Sequence, residues 1–265
     1  MAEQDYQTVL NRLIAECPMV GRCLAHAEKI RTERLVFFLE NTGRLQGLDE
    51  FSAFLDAAVK WFREFPDLSP IVFLLARAGA DFVTAIDATI SGFHAVAWES
   101  MRDVMEIELL LGEFAEKSSQ MQKWLDASQK ERRNIFSHGE LRKRKAARLG
   151  LPLSNMPDTA DYRGHSAVLH VNPVTSPFGN RGLSREPIDV GADACFWDIY
   201  RHAWNLFKVI LELFGRFGEA RDVQGWKPPT VDRFTQQYEE TMQMQGVMID
   251  KFKQLESDDD DNTDG

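Results

Sequence analysis

Two short stretches of this chain hold the residue types that metal-free phosphodiester chemistry requires. One is Arg133-Asn134-Ile135-Phe136-Ser137-His138, and the other runs Tyr162-Arg163-Gly164-His165-Ser166 and on to His170. Cutting RNA without a metal takes a base for the 2′-hydroxyl proton, an acid for the leaving oxygen and a cation against the phosphate. Imidazole changes charge near neutral pH and suits the proton transfers. A guanidinium offers a two-pronged fork to phosphate oxygens. Asn134 could orient the scissile group or the histidine. Between the stretches stand Arg142, Lys143, Arg144, Lys145 and Arg148. From 130 to 148 eight Lys or Arg face only Glu131 and Glu140, a local excess of six positive charges in a chain whose net charge is −10. That acidic total argues against coating nucleic acid by bulk charge, while a local basic face remains a place for an anion.

Helical geometry treats the two stretches differently. Five residues turn through about 500°, so Arg133 and His138 would lie roughly 140° apart on one unbroken helix. They converge only if the helix ends between them, and Gly139 marks such an end. Seven residues turn through about 700°, which brings Arg163 and His170 to one face, and Tyr162, Ser166 and His170 form an i, i+4, i+8 line. The second stretch has the better spacing, and the first has the polar Asn134 directly after its arginine. Plainer roles stand beside these. Arg133 could pair with a surface acid, His138 could complement a helix end, and Ser166 and His170 could share a buried hydrogen bond. The basic run could be a solvated helix face. The histidines do not stand at i, i+4, so no metal site is expected. No phosphate-loop or dinucleotide fingerprint occurs, and no cofactor is expected.

The spacings Arg133 to His138 and Arg163 to His170 resemble the R-x4-6-H signature of HEPN domains. The segment Asp161 to Pro173, with Tyr162, Ser166 and His170, looks like a segment shared by uncharacterised bacterial HEPN-like proteins. The helix bearing Arg102 and Glu106 is similar to the one that precedes that segment there. The likeness covers roughly residues 68 to 217. It implies a helical bundle and an endoribonuclease that needs no metal and leaves 2′,3′-cyclic phosphate ends. In it His138 or His170 would act as base or acid, Arg133 or Arg163 as phosphate clamp, and the polar residue after the arginine as positioner. Arg142, Lys143, Arg144 and Lys145 would hold RNA. It further implies a toxin or phage-defence setting, with an antitoxin or other protein partner, and a homodimer that brings two motifs together. The family also has members that do not cut. The alternative is therefore a non-catalytic module that binds nucleic acid or a protein through 130–148.

The segments around these stretches read as helices throughout, so the expected fold class is all-α: a HEPN-like bundle with extra N-terminal helices and a long C-terminal helix. Apolar residues recur at helical spacing over 4–16, 24–39, 49–65, 71–91, 93–114 and 192–217. Pro18 and Gly21 are expected to interrupt the first pair, and Asn41-Thr42-Gly43 to cap the second segment. Gln120 to Lys130 reads as one helix running into the focal stretch. Residues 171–190 read as a long loop, 231–255 as a polar helix and 257–265 as a disordered acidic tail. This gives an N-terminal helical part over 1–66 packed on a bundle over 67–228, then a helix over 229–256. Cys17, Cys23 and Cys195 follow no disulfide framework, which suggests reduced thiols and a cytoplasmic protein. The acidic start has no leader pattern, and no apolar run reaches a membrane-spanning length.

Overall fold

A computed structural model describes residues 3–40, 42–156, 188–219 and 228–243. The chain is all-α: every regular element among these residues is helical. In chain order these are α1 (Glu3–Glu16), α2 (Pro18–Glu40), α3 (Thr42–Arg63), α4 (Ser69–Ile90) and α5 (His94–Glu116). Then come α6 (Ser119–Asp126), α7 (Gln129–Ile135), α8 (His138–Leu149), α9 (Ile188–Glu219) and α10 (Asp232–Gln243), with 3-10 turns at Pro66–Leu68 and Leu153–Asn155.

The centre is made by α3, α4, α5 and α9, which supply most of the buried apolar side chains. Helices α4 and α5 fold back on each other through Ser91-Gly92-Phe93, where Gly92 takes a φ of 80° that a side chain would disfavour. Helix α9 runs parallel to α3, as the ring pairs Phe54–Phe207 and Trp61–Phe214 show. Helix α10 lies antiparallel to both, with Phe234 stacked on Phe51 and Tyr238 on Trp204. One continuous apolar core extends from Phe38 on α2 to Phe234 on α10. Aromatic residues dominate it, in keeping with the 18 Phe and 6 Trp of the sequence. None of the described helices is long and apolar enough to cross a membrane.

Several helix limits differ from the periodicity. The interruption expected at Pro18 is present: α1 ends at Glu16 and Cys17 is not helical. The chain turns helical again at once, with Pro18 at the first position of α2, which needs no backbone donor. Gly21 stays inside α2, where a Cβ would stand 2.8 Å from Ile14 on α1. The expected cap at Thr42-Gly43 is the first turn of α3, and Gly43 sits beneath Gln237 of α10. Nearby Gly47 makes room for the Tyr200 hydroxyl, which donates to the Arg44 carbonyl. The expected helix Gln120–Lys130 is cut at Ala127 and Ser128. Ser128 closes a capping box with Glu131: the Ser128 N–H donates to Oε2 at 2.8 Å, and the Glu131 N–H donates to the Ser128 hydroxyl at 3.3 Å. Of the expected loop over 171–190, residues 171–187 lie outside the described residues, whereas 188–190 already form the first turn of α9, which begins at Ile188 and not near 192. The helix beyond Gln243 and the acidic tail also lie outside the described residues.

Candidate functional site

The corner between α7 and α8 is assembled by short-range contacts. Arg132 turns back onto the end of α6, where Nε donates to the Trp124 carbonyl at 3.0 Å and Nη2 to the Leu125 carbonyl at 3.1 Å. Its guanidinium lies over the Trp124 ring, 5.3 Å from the centroid. Helix α7 closes at Ile135, Ser137 is extended (φ −64°, ψ 152°), and His138 is the first residue of α8. The helix therefore does end between Arg133 and His138. Arg133 and Asn134 are exposed in the last turn of α7, while His138 is half-buried and both its ring nitrogens are shielded from solvent.

The basic run that follows is largely engaged inside the chain. Arg144 donates from Nε to Glu113 Oε2 at 2.8 Å and from Nη1 to the Ile135 carbonyl at 2.8 Å. Arg148 pairs with the other oxygen of Glu113, itself only 3% exposed. These bonds fasten α8 to α5 and to the end of α7. Arg142 is buried. Lys143 pairs with Glu140 at 2.6 Å on the surface. Lys145 is half-buried, and its charge acts on Lys208 of α9. Lys130 and Arg133 are exposed at the corner, beside Arg132, whose guanidinium is held by the Trp124 and Leu125 carbonyls. Arg163, Ser166 and His170, with Tyr162, lie outside the described residues.

A second region was only half visible in the sequence. Between α4 and α5 opens a cavity of about 360 Å³ lined by Arg77, Asp81, Glu99, Arg102, Asp103 and Glu106, together with Val96 and Ser100. Arg77 grips Asp103 with two bonds, Nε to Oδ2 at 2.6 Å and Nη2 to Oδ1 at 2.7 Å. Arg102 approaches Glu106 at 3.8 Å. Burial, then the hydrogen bond and charge of Asp103, push the Asp81 carboxyl up to about 7 against the pull of Arg77. Burial also raises Glu106, with Asp103 adding to it and Arg102 and Arg77 opposing. Arg102 and Glu106, which carry part of the family resemblance, thus line a cavity. In the sequence Arg77 and Asp81 carry only a weak signal, two opposite charges a helical turn apart in a segment that is apolar on most sides.

A third polar group is sealed in the core. His202 Nδ1 lies 2.7 Å from Glu108 Oε1, and its Nε2 lies 3.5 Å from Asp198 Oδ1. All three residues are buried, so this group joins α5 to α9 and offers nothing to solvent. Cys195 is likewise buried, and burial pushes its thiol up to about 12, which leaves it an unreactive packing group. Among the described residues no group of three or more His, Cys, Asp or Glu is arranged to hold a metal ion. Comparison with protein-family models, curated proteins and solved structures returns no match.

Proposed function

We propose that this chain is a helical RNA-binding protein that contacts the phosphate backbone at the corner between α7 and α8. The observation that carries this reading is the helix break between Ile135 and His138. It seats exposed Arg133 and Asn134 at the end of one helix and begins the next helix only three residues later. A helix start favours anions, and Lys130 and Arg133 add positive charge beside it. Ser137 makes no side-chain capping bond there, and a Cβ at Gly139 would meet nothing within 4 Å, so the helix start is unencumbered.

Metal-independent cleavage is the second reading. It is favoured by the same break, which removes the 140° separation that a continuous helix would impose, and by the resemblance of Arg133, Asn134 and His138 to the HEPN motif. Binding is placed first because the His138 ring nitrogens are shielded, whereas a catalytic base must reach the proton it abstracts.

The test is fluorescence anisotropy with a mixed RNA pool at low and moderate salt, with chelator-treated protein and the Lys130→Glu/Arg133→Glu variant alongside. Binding should weaken steeply with salt and be lost in the variant. Product ends are examined in parallel. A 2′,3′-cyclic phosphate that disappears in His138→Ala would promote the cleavage reading. Absence of salt-dependent binding would end the binding reading.

A further inference from the structure

We propose, resting on the reading of the α7–α8 corner as an RNA contact, that Arg144 is the positioning residue of that corner. Anchored on Glu113, it sets where Arg133 and Asn134 stand and does not itself hold RNA.

Helix α7 is held mainly by polar bonds. None of its seven residues is buried, and its one apolar residue, Ile135, packs only in part against the core. Apolar burial therefore gives this helix little hold. Its start is closed by the Ser128–Glu131 capping box, and Arg132 ties it back to the Trp124 and Leu125 carbonyls. Its end is held by Arg144 of α8. Nη1 of Arg144 donates to the Ile135 carbonyl at 2.8 Å, one of the carbonyls that a helix end leaves without an intrahelical partner. A cation there also complements the helix dipole. The same guanidinium lies over the ring of buried Phe136, 5.7 Å from its centroid.

The other bond of that plane is anchored in the core. Nε donates at 2.8 Å to Oε2 of Glu113, which is buried on α5. A planar guanidinium fixes the angle between its bonds, so α5, α7 and α8 meet at one rigid group. Arg133 and Asn134 share the last turn of α7 with Ile135, and their position follows from that group. A phosphate arriving at Arg144 would face the Glu113 carboxylate, whose other oxygen pairs with Arg148. Arg148 therefore shares the anchor, while Arg144 carries the bond to α7.

The experiment compares Arg144→Lys with Arg148→Lys in the full chain. Lysine keeps the charge but loses the planar fork that spans two acceptors. RNA affinity, read by anisotropy with the mixed pool, should fall by about tenfold in Arg144→Lys and stay within about twofold of native in Arg148→Lys. Arg133→Ala should weaken the native chain and add nothing further in Arg144→Lys, a coupling that lost stability alone would not produce. Amide exchange over 129–136, followed without RNA, should quicken in Arg144→Lys and not in Arg148→Lys. Circular dichroism and melting check folding. Glu113→Asp, which keeps the charge and shortens the anchor, is the second variant should Arg144→Lys fail to fold, and it should shift both readouts the same way. No RNA binding by the native chain, with faster exchange in Arg144→Lys alone, would end the RNA reading and leave Arg144 as the residue that sets the corner. Where the native chain binds RNA, equal affinities of the two lysine variants would overturn the proposal and leave the RNA reading standing. Equal exchange over 129–136 would overturn it in either case.

Discussion

The α7–α8 corner and the α4–α5 cavity put charge to opposite uses. At the corner the charged residues are close in sequence, exposed at the α7 end, and mostly positive. In the cavity they come from helices folded against each other, are partly withdrawn from water, and are mostly negative. Charge density in the sequence pointed to the corner, yet the structure shows how little of that density is free. Arg144 and Arg148 are bound to Glu113, Arg142 is buried and Lys143 faces Glu140. Arg77 and Asp81 attract no notice in sequence, yet they meet the α5 carboxylates across a cavity. A run of like charges can thus serve mainly to attach one helix. Charges on two packed helices can instead face one another across a cavity and raise a carboxyl such as that of Asp81.

The contrast can be broken by substitution, and the largest effect belongs to Glu113. Glu113→Gln leaves Arg144 and Arg148 without their buried partner and should lower stability by about 3 kcal/mol. A shifted urea midpoint at unchanged slope checks this. If stability does not change, the basic run is not structural and the contrast collapses. The next effect belongs to Asp81. A carboxyl raised in the folded state binds more protons there than in the unfolded chain between its ordinary value of 3.8 and about 7. Its contribution therefore favours folding at low pH and is lost as pH rises through that window. Asp81→Asn should gain stability over the native chain as pH rises from 4 to 8, by about 1–2 kcal/mol after allowance for solvent screening. Melting measured across that range decides it, and a parallel profile for both proteins would refute the assignment.

Smaller effects sharpen the same contrast. Arg133→Ala should leave stability within about 0.5 kcal/mol while lowering the salt dependence of RNA binding by about one phosphate contact. Anisotropy titrations at several salt concentrations measure it. Lys143→Ala removes an exposed pair with Glu140 and should cost less than about 0.5 kcal/mol. A larger loss in denaturant unfolding would mean that the surface of α8 is more constrained than its exposure indicates.

The sequence revealed most where a signal is local. Helices α4, α5 and α9 were legible because apolar residues recur along them at helical spacing and must face a core. The end of α7 was foreshadowed by Gly139, although the break falls slightly earlier. The separation of α6 from α7 was also written in the chain as Ser128-Gln129-Lys130-Glu131, a capping-box pattern, but without Pro or Gly the continuous helical pattern prevailed. Gly21 and Gly43 look like punctuation in the sequence, because a glycine that breaks a helix and one that admits a neighbouring helix are alike until the neighbour is placed. The candidate sites divide in the same way. Arg133, Asn134 and His138 could be nominated from spacing alone. The commitment of Arg144 and Arg148 could not, because Glu113 lies 31 and 35 positions away. Arg102 and Glu106 could be nominated from the sequence, but only the α4–α5 register sets Arg77 and Asp81 opposite them.

The most direct measurement compares RNA binding by the native chain, Lys130→Glu/Arg133→Glu and Asp81→Asn across a salt series. RNA contact at the α7–α8 corner predicts steep salt dependence for the native chain, loss of binding in the double variant and native behaviour in Asp81→Asn. Native-like binding by the double variant at every salt concentration would contradict it.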